Sequence, residues 1–164
     1  MKYAIGVDIG GTNTKLGVVD EKGSVLKRHE FKTTDYDNFA SYMEGLIQAV
    51  SFLTSSTDGE CMGVGIGAPN GNYYKGTIDY APNLPFGRSA PIVETLRMAV
   101  GYEHIYLSND ANAAALGEKI YGGAKVFRIY IWRRHIAGVA AAFSRIGGVE
   151  GYSEKSPFSH CLGI

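Results

Sequence analysis

Only two cysteines occur in this chain of 164 residues, Cys61 and Cys161, one inside an apolar run and one near the end. That excludes the disulfide framework of a small secreted fold. The four histidines, His29, His104, His135 and His160, are scattered, and no metal-ligand spacing joins them to either cysteine. Net charge is also missing, because 16 Lys/Arg balance 16 Asp/Glu. The balance is global but not local: residues 1–123 hold 10 Lys/Arg against 14 Asp/Glu, a net of −4, and residues 124–164 hold 6 against 2, a net of +4. An acidic body with a diffuse basic end argues against nucleic acid as the main partner. No apolar run approaches the roughly 20 residues that span a bilayer. The opening Met-Lys-Tyr-Ala-Ile-Gly-Val-Asp passes into a strand without a cleavage-like site, so the expectation is a cytoplasmic protein without a membrane partner.

What is present begins with a glycine corner. In Val7-Asp8-Ile9-Gly10-Gly11-Thr12-Asn13-Thr14-Lys15-Leu16-Gly17-Val18-Val19-Asp20, two apolar strand-like runs flank Gly10-Gly11. A glycine pair allows positive φ and close approach of backbone amides to an anion, while Thr12, Asn13, Thr14 and Lys15 add side-chain donors. Asp8 ends the first run facing the same place. A carboxylate aimed at phosphate is repelled unless a cation lies between, so Asp8 reads as a Mg²⁺ holder acting through water. The plainer alternative is a hairpin with a glycine turn. The spacing is neither a Walker A loop nor G-x-G-x-x-G.

Residues 3–8 and 14–20 are expected as hairpin strands, with Gly23 turning the chain into a third strand over Ser24–Phe31. The period then lengthens. Phe39, Tyr42, Met43, Leu46, Ile47, Val50 and Leu53 form the stripe of an amphipathic helix, with Thr34 to Asp37 offering caps. After a polar loop, Cys61–Gly67 is a buried-type strand that ends at Ala68-Pro69-Asn70, and strand–helix–strand order predicts a right-handed parallel crossover. Ligands bind beyond the carboxyl ends of such strands, which places Asp8 and Gly67 to Asn70 on one rim.

Residues 71–88 are turn-rich, with a small hairpin expected around Thr77–Tyr80. In Ala81-Pro82-Asn83-Leu84-Pro85-Phe86, two prolines hold Asn83 in a fixed loop. Ser89 is expected to cap a helix with Pro91 in its first turn and Ile92, Val93, Leu96, Ala99 and Val100 on its apolar side. A strand over Ile105–Leu107 then leads to Asn109-Asp110-Ala111-Asn112-Ala113-Ala114-Ala115-Leu116-Gly117-Glu118, an Ala-rich helix that opens on Asn-Asp. Those two residues are ordinary helix caps, and they also stand on the rim assigned to phosphate.

D-I-G-G-T-x-x-K, G-I-G-A-P, P-N-L-P and N-D-A-N-A-A-A-L-G-E together resemble the ROK family of sugar kinases, the bacterial glucokinases in particular, within the actin/hexokinase-like ATPase superfamily. The resemblance implies an α/β lobe of ribonuclease H type: a mixed sheet with an antiparallel three-strand meander and parallel crossover strands flanked by helices. It implies ATP with Mg²⁺ as cofactors, Asp8, Gly10, Gly11, Thr12 and Lys15 at the phosphates, and Asp8 at the metal. It places Gly67, Asn83, Asn109 and Asp110 at a hexose, glucose first among the candidates, and makes Asp110 the catalytic base. Phosphoryl transfer asks mainly for alignment and charge neutralisation, which this set supplies.

The match ends near Lys125, giving a lobe of residues 1–125 and a tail of 126–164. The tail lacks the family's second phosphate loop L-G-T-G-x-G-x-G, its E-x-G-H and its zinc cluster, so no zinc is assigned. A shifted reading frame, a fused foreign end and a divergent ending packed on the lobe all fit it. With those motifs missing, weak activity or none is the expectation for this chain alone, with self-association through the lobe's uncovered surface. The other readings are a sugar-responsive ROK transcriptional regulator, against which the hairpin's start at Met1 argues, and a non-catalytic interaction or structural fragment.

Overall fold

The computed structural model describes residues 1–121. The glycine stop expected after the last helix and the tail from 126 onward lie outside the described residues. The first strand, β1 (Lys2–Ile9), alternates as a half-buried strand should: Tyr3, Ile5, Val7 and Ile9 are buried on one face, and Ala4, Gly6 and Asp8 lie on the other. It pairs antiparallel with β2 (Asn13–Asp20), and β2 pairs antiparallel with β3 (Val25–Lys32). Between β2 and β3 the Asp20 carboxylate accepts the amides of Lys22 at 2.9 Å and Ser24 at 2.7 Å, while Gly23 takes φ 79°. The meander is the one expected, shifted by a residue at its ends.

A 3₁₀ turn over Thr33–Asp35 follows. The first helix, α1 (Phe39–Ser55), is capped by Asn38, whose side chain accepts the Ser41 amide at 3.0 Å, rather than by any residue of Thr34 to Asp37. Thr34 and Asp35 are wound into the 3₁₀ turn, Tyr36 leaves it extended, and Asn38 is the residue that stands directly before the first helical turn. The stripe Tyr42, Met43, Leu46, Ala49, Val50 and Leu53 is buried, as the periodicity requires.

From α1 the chain enters β4 (Glu60–Ala68), parallel to β1, and after an excursion β8 (Ile105–Asn109) adds parallel to β4. The sheet order is β3-β2-β1-β4-β8, a mixed five-stranded sheet. The excursion holds a second, three-stranded sheet of β5 (Gly71–Asn72), β6 (Thr77–Asp79) and β7 (Ser89–Ala90). Ser89 therefore belongs to a strand. Its hydroxyl donates to the Asp79 carboxylate at 2.7 Å, so it does not cap α2 (Ile92–Val100), whose N-cap is Pro91 without a side-chain bond. Hydrogen bonds from Ser89, Thr77 and Asn72 hold the Asp79 carboxyl below its ordinary pKa. In α2, Ile92, Val93 and Leu96 are buried, whereas Ala99 is exposed and lies off the apolar side. The last described element, α3 (Asp110–Tyr121), buries Ala113 and Ala114 in a patch separate from the main core.

Candidate functional site

The corner between β1 and β2 is closed by the Gly10 amide donating to the Asn13 carbonyl at 3.0 Å. Neither Gly10 nor Gly11 has a positive φ, so conformational freedom is not what these positions require. They require room. A Cβ on Gly10 would stand 2.9 Å from the Asn13 carbonyl oxygen, and one on Gly11 would stand 3.1 Å from Asn83 Cβ and 3.2 Å from the Asn83 carbonyl oxygen. Thr12 is exposed at the tip, Lys15 is half-buried, and the Thr12 carbonyl accepts the Thr33 amide at 2.8 Å.

Thr14 is not a donor at this corner. It is fully buried, and its hydroxyl shares hydrogen bonds with Thr33 Oγ1 at 2.8 Å and Tyr42 Oη at 2.9 Å. Strand alternation accounts for this: Lys15 shares the outer face with Asp8, so its neighbour Thr14 must point into the core.

Register assembles the rest. Lys15 stands opposite Asp8, Asp8 beside Gly67, and Gly67 beside Ser108, a row crossing β2, β1, β4 and β8. Three of those strands are parallel and end here, so Asn109, the last residue of β8, and Asp110, the first of α3, come to the same rim. Burial pushes the Asp8 carboxyl up from an ordinary 3.8 to about 6; the negative field of Asp110 adds to the rise and the Lys15 ammonium opposes it. The two carboxylates therefore sense each other. Asp110 Oδ1 and Asn109 Oδ1 both accept the Ala111 amide, at 2.7 Å and 3.1 Å, so these residues cap α3. The capping uses one oxygen of each and leaves Asp110 Oδ2 and Asn109 Nδ2 outside those bonds.

Asn83 reaches the site from the far excursion. Ala81, Leu84 and Phe86 are buried and the Leu84 amide donates to the Ala81 carbonyl at 3.1 Å, which leaves Asn83 exposed between its prolines and against Gly11. Gly67 is buried, and the turn beyond it takes a left-handed residue at Asn70, whose side chain donates to the Tyr80 carbonyl at 3.0 Å. The site residues expected from sequence thus converge on one end of the sheet. Sequence reasoning missed Ser108, a buried hydroxyl residue in the row, and the Thr33 and Tyr42 hydroxyls behind the corner. Only strand register could have found Ser108.

Among the described residues no group of three His, Cys, Asp or Glu could hold a metal ion. Burial raises the pKa of the half-buried Cys61 thiol. A groove of about 310 Å³ beside β8, lined by Tyr73, Tyr74, Arg97 and Tyr106 among others, contains none of the expected site residues. No helix among the described residues is long and apolar enough to cross a membrane.

Comparison with known proteins gives the chain its relatives. A glucokinase of Streptomyces coelicolor is 38% identical over 134 residues, covering 78% of this chain and 39% of the relative. A putative xylose repressor of Caldicellulosiruptor is 30% identical over 127 residues, covering 73% of this chain and 30% of that protein. The crystal structure of a ROK family glucokinase from Streptomyces griseus, in complex with glucose and AMPPNP, superposes with a TM-score of 0.66 at 34% identity, covering 74% of this chain and 38% of that one. The chain spans about two fifths of the length of the glucokinases it matches. The ROK family model matches residues 4–143, and the chain belongs to the ROK family.

Proposed function

We propose that this chain is the phosphate- and sugar-facing lobe of an ATP-dependent hexose kinase, with glucose as its first substrate and hexose 6-phosphate and ADP as products. The observation that carries the reading is the register that brings Asp8 at the end of β1 and Asp110, just past the end of β8, to one rim with β4 between them. One carboxylate beside the phosphates and one beside the sugar is the division of labour that phosphoryl transfer needs. Asp110 takes the proton of the attacking hydroxyl, and Asn109 and Asn83 hold neighbouring hydroxyls. The corner Gly10-Gly11-Thr12 with Lys15 holds the phosphates.

The residues present fit Mg²⁺. The ion takes hard oxygen donors, commonly one or two carboxylates with substrate phosphates completing the shell, and Asp8 is a half-buried carboxylate whose positive neighbour Lys15 only partly offsets burial and Asp110. When bound, Mg²⁺ supplies neutralisation of phosphate charge. Asp8 would hold it through water. The similarity to the Streptomyces griseus glucokinase, which was solved with glucose and AMPPNP, supports both ligands.

The test is glucose 6-phosphate formation from glucose and Mg-ATP by the 164-residue chain, beside Asp110→Asn and a calorimetric glucose titration. Transfer that Asp110→Asn abolishes, with glucose still bound, supports the reading. Transfer that survives the substitution sinks it. The similarity to the putative xylose repressor favours a second reading, a sugar-sensing lobe, which predicts glucose binding without any transfer that depends on Asp110.

A further inference from the structure

Tyr42 stands between the two loops that carry the site. It is fully buried on α1. Its hydroxyl bonds Thr14 Oγ1 at 2.9 Å, Thr14 bonds Thr33 Oγ1 at 2.8 Å, and the Thr33 amide donates to the Thr12 carbonyl at 2.8 Å, in the phosphate corner itself. The other side of the same ring packs on Phe86 with centroids 4.6 Å apart. Phe86 ends the loop that presents Asn83, and Asn83 closes the circuit by lying against Gly11. The phenol's hydroxyl serves the phosphate corner, while its ring meets Phe86 most closely and also packs on Phe31 and Tyr36, with centroids 5.8 Å away in each case.

We infer that Tyr42 is a positioning residue that couples the phosphate corner to the Asn83 loop, so that a hexose held at Asn83 tightens the corner that holds the phosphates, and nucleotide tightens the sugar loop in return. The coupling deepens the kinase reading and, where it concerns ligands, rests on it. Physically, a shift of the buried ring that follows Phe86 strains the hydroxyl chain, because cores are close-packed and a buried hydroxyl that loses its partner is left with an unmet desolvation cost. The coupling is reciprocal, as any binding linkage must be. Burial, partly offset by the Thr14 bond, drives the phenol's pKa well above its ordinary value, so the hydroxyl is neutral throughout the working range.

Two amides report the two loops: Thr33, bonded to the Thr12 carbonyl, and Leu84, bonded to the Ala81 carbonyl. Their hydrogen exchange is measured by NMR on the full chain without ligand, with the Ile66 amide of β4 as a core reference. Tyr42→Phe deletes the hydroxyl and keeps the ring, and should speed both Thr33 and Leu84 about tenfold relative to Ile66. Phe86→Leu alters the sugar loop and its packing on Tyr42 and Phe39 but leaves every hydroxyl of the chain in place, yet it should speed Thr33 as well, and the double variant should be non-additive. Thr14→Val cuts the same chain from its other end and must reproduce the Tyr42→Phe pattern. Leu53→Val, a core change at the opposite end of α1 from Tyr42, should leave the two ratios unchanged. If Phe86→Leu speeds Leu84 and leaves Thr33 within about twofold, the loops are independent and the coupling is wrong. Adding glucose separates this from the kinase reading: glucose should slow Thr33 in the unaltered chain and not in Tyr42→Phe. Should glucose alter no amide while the ligand-free variants behave as stated, the hexose assignment falls and the coupling stands.

Discussion

Gly11 and Asn83, 72 positions apart in the chain, leave no room for a side chain between them: a Cβ built on Gly11 would lie 3.1 Å from Asn83 Cβ and 3.2 Å from its carbonyl oxygen. The φ of Gly11 is ordinary, so the position demands glycine only for room. Gly11→Ala should therefore fold, with the Asn83 loop displaced by a few tenths of an ångström and a cost of about 1–2 kcal/mol, the usual scale of mild overpacking. Thermal melting should show a loss of a few degrees. Glucose affinity should fall by more than the melting shift suggests, because the loop that moves is the one assigned to the sugar. An unchanged glucose titration would remove Asn83 from the site.

The Asp8 carboxyl, raised to about 6, makes stability depend on pH in a definite direction. In the unfolded chain the group titrates at its ordinary 3.8, so the folded state binds the proton more tightly. The contribution to stability is complete below 3.8 and is lost as pH rises through about 6. Asp8→Asn removes that loss. The variant should match the unaltered chain near pH 4 and exceed it by roughly 1–3 kcal/mol above pH 6, as urea melts across this range would show. Asp110→Asn should recover only part of the difference, because burial, the larger cause, remains.

Mg²⁺ should reverse this preference. An ion that binds only the folded state stabilises it in proportion to the logarithm of its concentration over Kd. With AMPPNP present, Mg²⁺ should raise the melting temperature of the unaltered chain and leave Asp8→Asn close to its metal-free value. Equal shifts in both would move the metal away from Asp8.

The strands, the α1 stripe and the Asn109-Asp110 helix start were legible because each is written in local alternation, helical spacing or capping chemistry. The errors are equally physical. Thr34 to Asp37 and Ser89 are competent caps, but a 3₁₀ turn takes Thr34 and Asp35 before the helix begins and Ser89 donates to Asp79 across a strand pair, and neither arrangement is visible locally. The chemistry of its neighbours suggests an outward Thr14, whereas alternation with Lys15 turns it inward. The glycine corner was identified as a ligand loop for a reason only half right, since the crowding of Gly11 comes from a loop 72 residues away. Ser108 and Tyr42 became site-related only through register and packing.

Gly63 ties the fold to the site and gives the sharpest structural test. Cys61 of β4 pairs with Tyr3 and Val64 with Ile5, so Met62 and Gly63 oppose Ala4 alone, in a bulge. Gly63 takes φ 148°, and a Cβ there would fall 2.1 Å from the His104 carbonyl oxygen, the same oxygen that accepts the Val64 amide at 2.9 Å. Neither partner can yield without breaking the first bond between β4 and β8. Gly63→Ala should cost about 3 kcal/mol or more, combining backbone strain with the clash. Because β8 delivers Asn109 and Asp110 to the rim, whatever protein remains folded should also lose glucose affinity. Gly101 is the control: its φ of 72° is also left-handed, but a Cβ there meets nothing within 4 Å. Gly101→Ala should cost only about 1 kcal/mol and leave glucose binding intact. Equal urea midpoints for the two variants would show that strain alone, not the contact with His104, sets the requirement at Gly63.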